Sequence, residues 1–127
     1  MRYGFSKQTG YGFEEAILKV TEELQKEGFG VLTTIDVKAT LKKKLDADFR
    51  NYVILGACNP PFAHKALQAE SELGLLMPCN VVVQEQEGKT SVSFFDPELM
   101  AQVVENEKLK PLAAELKAKL QRVYDNI

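Results

Sequence analysis

The sequence predicts one α+β domain spanning residues 1–127, in which a mainly antiparallel sheet of about five strands carries packed helices. Three observations favour this fold class. Strand-like and helical apolar patterns alternate along the chain in the order β-α-β-α-β-α-β-β-α. The last two strands are separated by only a tight turn, as in a hairpin. No glycine-rich phosphate loop follows any strand, which argues against a doubly wound parallel sheet.

Strands and helices alternate in the first half of the chain. A strand is predicted over Arg2–Lys7, and apolar residues then recur at helical spacing over Phe13–Leu24. Gly28 stands where a left-handed helix cap is expected. A β-branched run predicts a second strand over Phe29–Ile35, and a short helix follows with Asp36 as its N-cap.

The second half begins with a continuous apolar run, Asn51–Ala57, which predicts a strand covered on both faces. A third helix follows this strand. Two further strands, at Val81–Val83 and Thr90–Phe95, flank a hairpin turn in which Gly88 supplies a positive φ. A closing helix is predicted after Asp96-Pro97. Its apolar stripe consists of Leu109, Leu112, Leu116, Leu120 and Val123.

Composition and charge exclude several classes of function. The formal net charge is −2, so no general basic field attracts nucleic acid or an anionic membrane, and we expect neither partner. The only basic run, Lys42–Lys44, is predicted to be a solvated helix face. No apolar run approaches the ~20 residues of a membrane span, and the N-terminus lacks the apolar stretch of a signal peptide. We therefore expect a cytoplasmic protein.

Two Cys-Asn dipeptides are the features most able to carry chemistry. Cys58-Asn59 leaves a strand toward a helix, whereas Cys79-Asn80 enters the next strand. If these strands are antiparallel neighbours, both thiols lie at the same end of the sheet; if they are parallel, the thiols lie at opposite ends. The antiparallel case predicts a pocket at that end. Its candidate residues are Cys58, Asn59, Pro60, His64, Pro78, Cys79 and Asn80.

Each of these residues also has a purely structural interpretation. A free cysteine often behaves as a small buried hydrophobe, Asn59 can cap the third helix, and Asn80 can satisfy a strand end. A helix N-terminus would favour a Cys58 thiolate, but two prolines there remove N–H donors that would stabilise the anion. His64, the only histidine, is either within reach of Cys58 as an activating base or a surface residue with no partner.

The two cysteines and the histidine are one ligand short of a closed zinc site, so no metal site is predicted, with an open three-ligand site as an alternative. A disulfide between Cys58 and Cys79 would need Cα atoms within ~7 Å and would be unusual in the cytosol. Reversible thiol oxidation is a milder alternative. The sequence leaves open which cofactor, if any, the protein uses and whether it is an enzyme.

The stretch YVILGACNPPFAHKAL at residues 52–67, followed by GLLMPCNVVV at residues 74–83, resembles the signature of the domain-of-unknown-function 302 family. The resemblance covers nearly the whole chain. It implies a small prokaryotic protein with a fold similar to the TATA-binding-protein-like α+β folds, a curved antiparallel sheet with helices packed on it. The family has no established activity, so the resemblance implies motif positions and no catalytic roles. These positions are Cys58, Asn59, Pro60, Pro78, Cys79 and Asn80.

Two functions follow as hypotheses. The first is a domain that binds a small molecule or a metal ion in a thiol-lined pocket at one end of the sheet. The alternative is a homodimeric structural or interaction module without chemistry, paired through the C-terminal leucine stripe or through an edge strand.

Overall fold

The computed structural model describes residues 1–127 and has the α+β architecture that the sequence predicts. The chain contains five strands and five α-helices, with a short 3-10 helix at Ser71–Leu76. The elements are β1 (Gly4–Thr9), α1 (Phe13–Lys26), β2 (Gly30–Asp36), α2 (Val37–Leu45), β3 (Tyr52–Cys58), α3 (Pro60–Ala69), β4 (Cys79–Gln86), β5 (Lys89–Phe95), α4 (Glu98–Val104) and α5 (Leu109–Asp125).

The five strands form one curved sheet in the order β1-β5-β4-β3-β2, in which every neighbouring pair is antiparallel. This arrangement makes β1 and β2 the two edge strands. A tight turn joins β4 to β5, where Glu87 and Gly88 both have positive φ, as the Gly88 signal predicts. The β3–β4 register places Ala57 opposite Cys79 and Gly56 opposite Asn80.

One face of the sheet carries the main core, in which alternate strand residues pack against α1 and α5. Val20 and Leu24 from α1 meet Leu120 and Val123 from α5 over this face. The strands contribute the remaining apolar surface, mainly Val53, Leu55, Ala57, Val81, Val83, Val92 and Phe94. The predicted leucine stripe is therefore core: Leu109, Leu116, Leu120 and Val123 are buried and Leu112 is half-buried.

A second, smaller apolar cluster lies beside the main core. Its six buried residues are Ala66, Leu73, Met100, Ala101, Leu109 and Ala113. The helix α5 joins the two clusters, because its first turns contribute Leu109 and Ala113 to the second cluster and its later turns contribute Leu116 and Leu120 to the main core.

Several local predictions are confirmed. Gly28 adopts φ 84° after the last residue of α1, and its N–H donates to the carbonyl of Gln25. The carboxylate of Asp36 accepts a hydrogen bond of 2.9 Å from the N–H of Ala39, as expected of an N-cap. Lys42–Lys44 lie on an exposed part of α2.

Two expectations differ from the structure. The closing helix is divided into α4 and α5, because Glu105 adopts the left-handed conformation at φ 58° and ends α4. The strand β3 is covered by apolar packing on one face, whereas Tyr52 and Ile54 on the other face are half-exposed. A continuous apolar run therefore indicates a central strand here without a second helical layer.

Candidate functional site

The antiparallel pairing of β3 with β4 brings the two cysteines to the same end of the sheet. The strand β3 ends at Cys58, β4 begins at Cys79, and Cys79 lies directly opposite Ala57. Residues opposite one another share a face of the sheet, so Cys79 faces the helix layer with Ala57, and Cys58 starts from the other face. Both cysteines are free thiols, and Cβ vectors on opposite faces disfavour a disulfide.

A small apolar cavity of about 30 Å³ lies at this end of the sheet. Both cysteines line it, and 11 of its 13 lining residues are hydrophobic. The walls come from both apolar clusters: Phe29, Ala57 and Leu116 belong to the main core, and Ala66, Leu73 and Met100 to the second cluster. Phe62, Ala63, Met77 and Pro78 complete the lining together with Asn59. The cavity is thus a gap at the junction of two packed groups of side chains.

The surroundings of the thiols favour their neutral form. Burial raises the pKa of the Cys79 thiol to about 11, and the charge of a nearby Cys58 thiolate adds to the rise. Burial also raises the pKa of Cys58, which is half-buried at the end of β3. Both groups are therefore protonated at neutral pH, and neither is an activated nucleophile in the absence of a ligand.

Asn59 connects α1 to α3 across the cavity end of the sheet. The residue occupies the N-cap position of α3, but its side chain makes no capping hydrogen bond, so the predicted capping role is wrong. Instead its amide Nδ2 donates to the carbonyl of Glu27 at 3.2 Å, where α1 ends. The side chain is 7% exposed, so this hydrogen bond fixes the position of the buried amide.

Asn80 lies on the opposite face of the sheet from the cavity. It is exposed, it follows the buried Cys79 in β4, and it lines a shallow groove with Tyr3 and Val82 on the face away from the main core. Its register partner Gly56 has no room for a side chain, because a Cβ there would lie 2.9 Å from the Cγ of Pro78 and would overlap Thr33. Pro78 therefore contacts both the cavity and this face.

Two other predicted site residues lie outside the cavity lining. His64 is exposed on α3, and Pro60 is exposed at the first position of this helix. No cluster of three or more His, Cys, Asp or Glu side chains is arranged to hold a metal ion. The structure thus brings together Cys58, Asn59, Pro78 and Cys79 and separates them from Pro60, His64 and Asn80.

Sequence reasoning did not single out the methionines at this site. Met77 precedes Pro78, and Met100 reaches the cavity from α4, a helix far along the chain. Met77 has a local signal in the sequence, because it stands two residues before Cys79 of the second Cys-Asn motif. Met100 carried no signal, because its approach depends on how α4 packs on α5 and α3.

The fold places the chain among small α+β proteins that carry helices on a five-stranded antiparallel sheet. The family model described as "Domain of unknown function DUF302" matches residues 5–127. The chain belongs to this family, as the resemblance in its two Cys-Asn segments implies.

A solved structure of the same family supports the fold. The crystal structure of the uncharacterized conserved protein DUF302 from Bacillus stearothermophilus is similar to this chain, with a TM-score of 0.91 and 30% sequence identity. The match covers 99% of this chain and 98% of that chain. No curated protein matches significantly. No helix in the structure has the length and apolar character to cross a membrane.

Proposed function

We propose that this protein is a small-ligand binding domain and that its site is the thiol-lined cavity at the β3–β4 end of the sheet. The observation that supports this proposal best is the cavity itself, an apolar gap where two packed clusters meet and both cysteines line the wall. The cysteines come from two separate motifs, and the pairing of β3 with β4 puts both motifs at the same end of the sheet.

The size and lining of the cavity limit the ligand. A volume of about 30 Å³ exceeds the ~10–15 Å³ that one water requires and is far below the ~300 Å³ of a pocket for a drug-sized molecule. The ligand is thus a single atom or a group of a few atoms, unless Phe62 and the methionines move aside. With 11 of 13 lining residues hydrophobic, the lining favours an apolar or weakly charged species.

The same features favour binding over nucleophilic catalysis. A catalytic cysteine needs a base or a lowered pKa, whereas burial raises the pKa of both thiols here. The only histidine, His64, is exposed and does not line the cavity. The thiols therefore serve as ligand-contacting groups in this proposal and do not attack a substrate.

Labelling of the native protein by methyl methanethiosulfonate, a small uncharged thiol reagent, tests the proposal. We expect Cys79 to be labelled faster than the protein unfolds globally, and Ala63→Leu to slow this labelling by about tenfold because the larger side chain fills the cavity. The control is Ala118→Leu, on an exposed position of α5 outside the lining. Labelling of Cys79 only at the global unfolding rate, measured by urea-jump kinetics, would show a sealed core and contradict the proposal.

A second candidate function is a homodimer formed through the edge strand β2. The leucine stripe is buried and gives no support to dimerisation through α5. In β2, by contrast, Leu32 is 67% exposed and Ile35 is 48% exposed, and the strand contains no lysine or proline to block pairing. Its only charge, Asp36, lies at one end, so two copies paired antiparallel about Thr33 would bring no like charges together.

Sedimentation velocity at micromolar concentration tests this candidate. We expect a dimer that Leu32→Lys converts to a monomer, because a charge at the paired edge opposes strand addition. Leu18→Lys is the matched control, since Leu18 is also 67% exposed but lies on α1. A wild-type protein that remains monomeric, or a dimer that both variants disrupt equally, would contradict pairing through β2.

A further inference from the structure

Sulphur-bearing side chains gather at the cavity. The chain has two cysteines and three methionines, and all of them except Met1 line this one cavity. They come from separate parts of the fold. Cys58 ends β3, Met77 follows the 3-10 helix, Cys79 begins β4, and Met100 lies in α4. Packing of generic hydrophobes would not require sulphur at each of these positions.

This set of side chains is chemically selective. Thiolate and thioether sulphur are soft ligands that select Cu(I), whereas carboxylate and carbonyl oxygen suit Mg²⁺ and Ca²⁺. The cavity lining contains no aspartate, glutamate or histidine, and its one amide, on Asn59, donates to the carbonyl of Glu27. The site therefore lacks the ligands that a hard cation needs, and it lacks the four nitrogen or sulphur donors of a structural zinc site unless thioethers are counted.

The volume and polarity of the cavity point in the same direction. A space of about 30 Å³ accommodates one ion and is too small for most organic molecules. An apolar wall penalises net charge, and a monovalent cation bound to one thiolate is neutral overall. A divalent cation at the same ligands would leave a charge in an apolar site.

We propose that the cavity binds one soft monovalent cation, Cu(I) in reducing conditions, through the sulphur atoms of Cys79, Met77 and Met100, while Cys58 lines the same cavity from the end of β3. This inference rests on the proposed function and names the class of its ligand. On binding, the Cys79 thiol releases its proton to solvent as its sulphur bonds to the metal, and no electron is transferred. The flexible methionine side chains adjust to the ion without movement of the strands.

Titration of the full chain with Cu(I) under anaerobic conditions, in competition with a chromophoric Cu(I) chelator, tests the proposal. We expect one bound equivalent per chain, confirmed by native mass spectrometry, and the same stoichiometry with Ag(I) as a probe. Cys79→Ser should weaken binding by about 100-fold, and Met77→Leu and Met100→Leu by about tenfold each, in the range typical of losses at metal sites.

The control variant is His64→Ala. It removes the only histidine, which is exposed on α3, and should leave the affinity for Cu(I) unchanged. Met100→Leu keeps the test decisive if Cys79→Ser does not fold, because this swap nearly conserves volume. Failure of the wild-type protein to retain Cu(I), or loss of binding in His64→Ala with retention in Met100→Leu, would overturn the proposal.

The labelling experiment separates this inference from the proposed function. If methyl methanethiosulfonate reaches Cys79 and Ala63→Leu slows it, while Cu(I) is not retained, the cavity is a ligand site and the soft cation is the wrong class. If Cys79 is sealed and Cu(I) is not retained, both proposals fail. Retention of Cu(I) by a protein in which Cys79 is sealed would place the ion outside the cavity, and it would overturn both proposals.

Discussion

The two Cys-Asn motifs have the same sequence and opposite environments. In the first motif the asparagine is buried and hydrogen-bonded, and the cysteine is half-buried. In the second motif the cysteine is 8% exposed and the asparagine is exposed. Asn59 holds α1 and α3 together, whereas Asn80 lies on the face of the sheet away from the main core.

The difference follows from the position of each motif in its strand. Successive side chains of a strand alternate between faces, and Cys79-Asn80 lies inside β4, so its two residues point to opposite sides. Cys58 is the last residue of β3, and Asn59 has already left the strand and turns into the start of α3. A repeated dipeptide therefore specifies one end of the sheet without specifying the same role for each residue.

The largest expected difference between the motifs is in thiol reactivity. Burial and the neighbouring Cys58 raise the pKa of Cys79 to about 11, so at pH 8 only about one molecule in a thousand carries the Cys79 thiolate. We expect iodoacetamide to alkylate Cys79 at least about 100-fold more slowly than Cys58. Below pH 11 the Cys79 rate should rise about tenfold per pH unit, because each unit increases the thiolate fraction tenfold. Mass spectrometry of time points from pH 7 to 10 measures both rates, and equal rates would contradict the assignment.

The next largest effect concerns Gly56, which lies in β3 two residues before Cys58 and opposite Asn80 in β4. Gly56→Ala should lower the free energy of unfolding by about 2–3 kcal/mol, because the added Cβ would overlap Thr33 and press on Pro78. Gly30→Ala is the matched control, since Gly30 lies in the neighbouring strand opposite Cys58 and a Cβ there meets nothing within 4 Å. Urea denaturation compares the variants. A small loss in Gly56→Ala, similar to that in Gly30→Ala, would mean that the contact with Pro78 is not tight.

Replacement of each cysteine by serine compares the burial of the two thiols. Cys79→Ser should destabilise the protein by about 2 kcal/mol, because it places a hydroxyl in an apolar wall without a hydrogen-bond partner. Cys58→Ser should cost less than about 0.5 kcal/mol, because its position is half-exposed and water can reach the hydroxyl. The midpoint of urea unfolding at unchanged slope gives both values. The reverse order would show that Cys58 is the buried thiol.

The smallest effect distinguishes the asparagines. Asn59→Ala should lower the free energy of unfolding by about 1 kcal/mol, because it removes the hydrogen bond to the Glu27 carbonyl at a buried position. Asn80→Ala should change it by less than about 0.5 kcal/mol, because Asn80 is exposed. Thermal and urea unfolding of the pair measure the difference, and equal losses would refute the separate roles.

Much of the fold could be predicted from the sequence because its signals are local. Gly28, Asp36 and Gly88 each stand where a cap or a turn requires a particular residue type, and the structure has the expected conformation at all three. The mainly antiparallel sheet was predicted from the hairpin. The pairing of β3 with β4 stayed open between antiparallel and parallel, because α3 and a 3-10 helix separate the two strands in the chain, and the structure has the antiparallel pairing. The division between α4 and α5 was not predicted, because Glu105 in the left-handed conformation is not a residue type that marks a helix end.

The candidate site was predictable only in part. The antiparallel register brings Cys58 and Cys79 to the same end of the sheet, as the antiparallel alternative predicts. Whether Asn80 and His64 face the cavity depends on which face of β4 and of α3 is buried. Packing of these elements against the rest of the fold determines that face. Met100 depends on a contact between elements that are distant in the chain. Sequence alone therefore located the end of the sheet and left the composition of the cavity wall undetermined.

The junction of the two apolar clusters has a consequence for the dynamics of the protein. The cavity has one wall on the 14-residue main core and another on a cluster of only six buried residues, to which the seven-residue helix α4 contributes. Smaller cooperative units open at lower free energy than the global unfolding transition. We expect amide protons of α4 to exchange with solvent well before those of β4. Local opening of α4 would then give a ligand access to the cavity while the sheet stays folded.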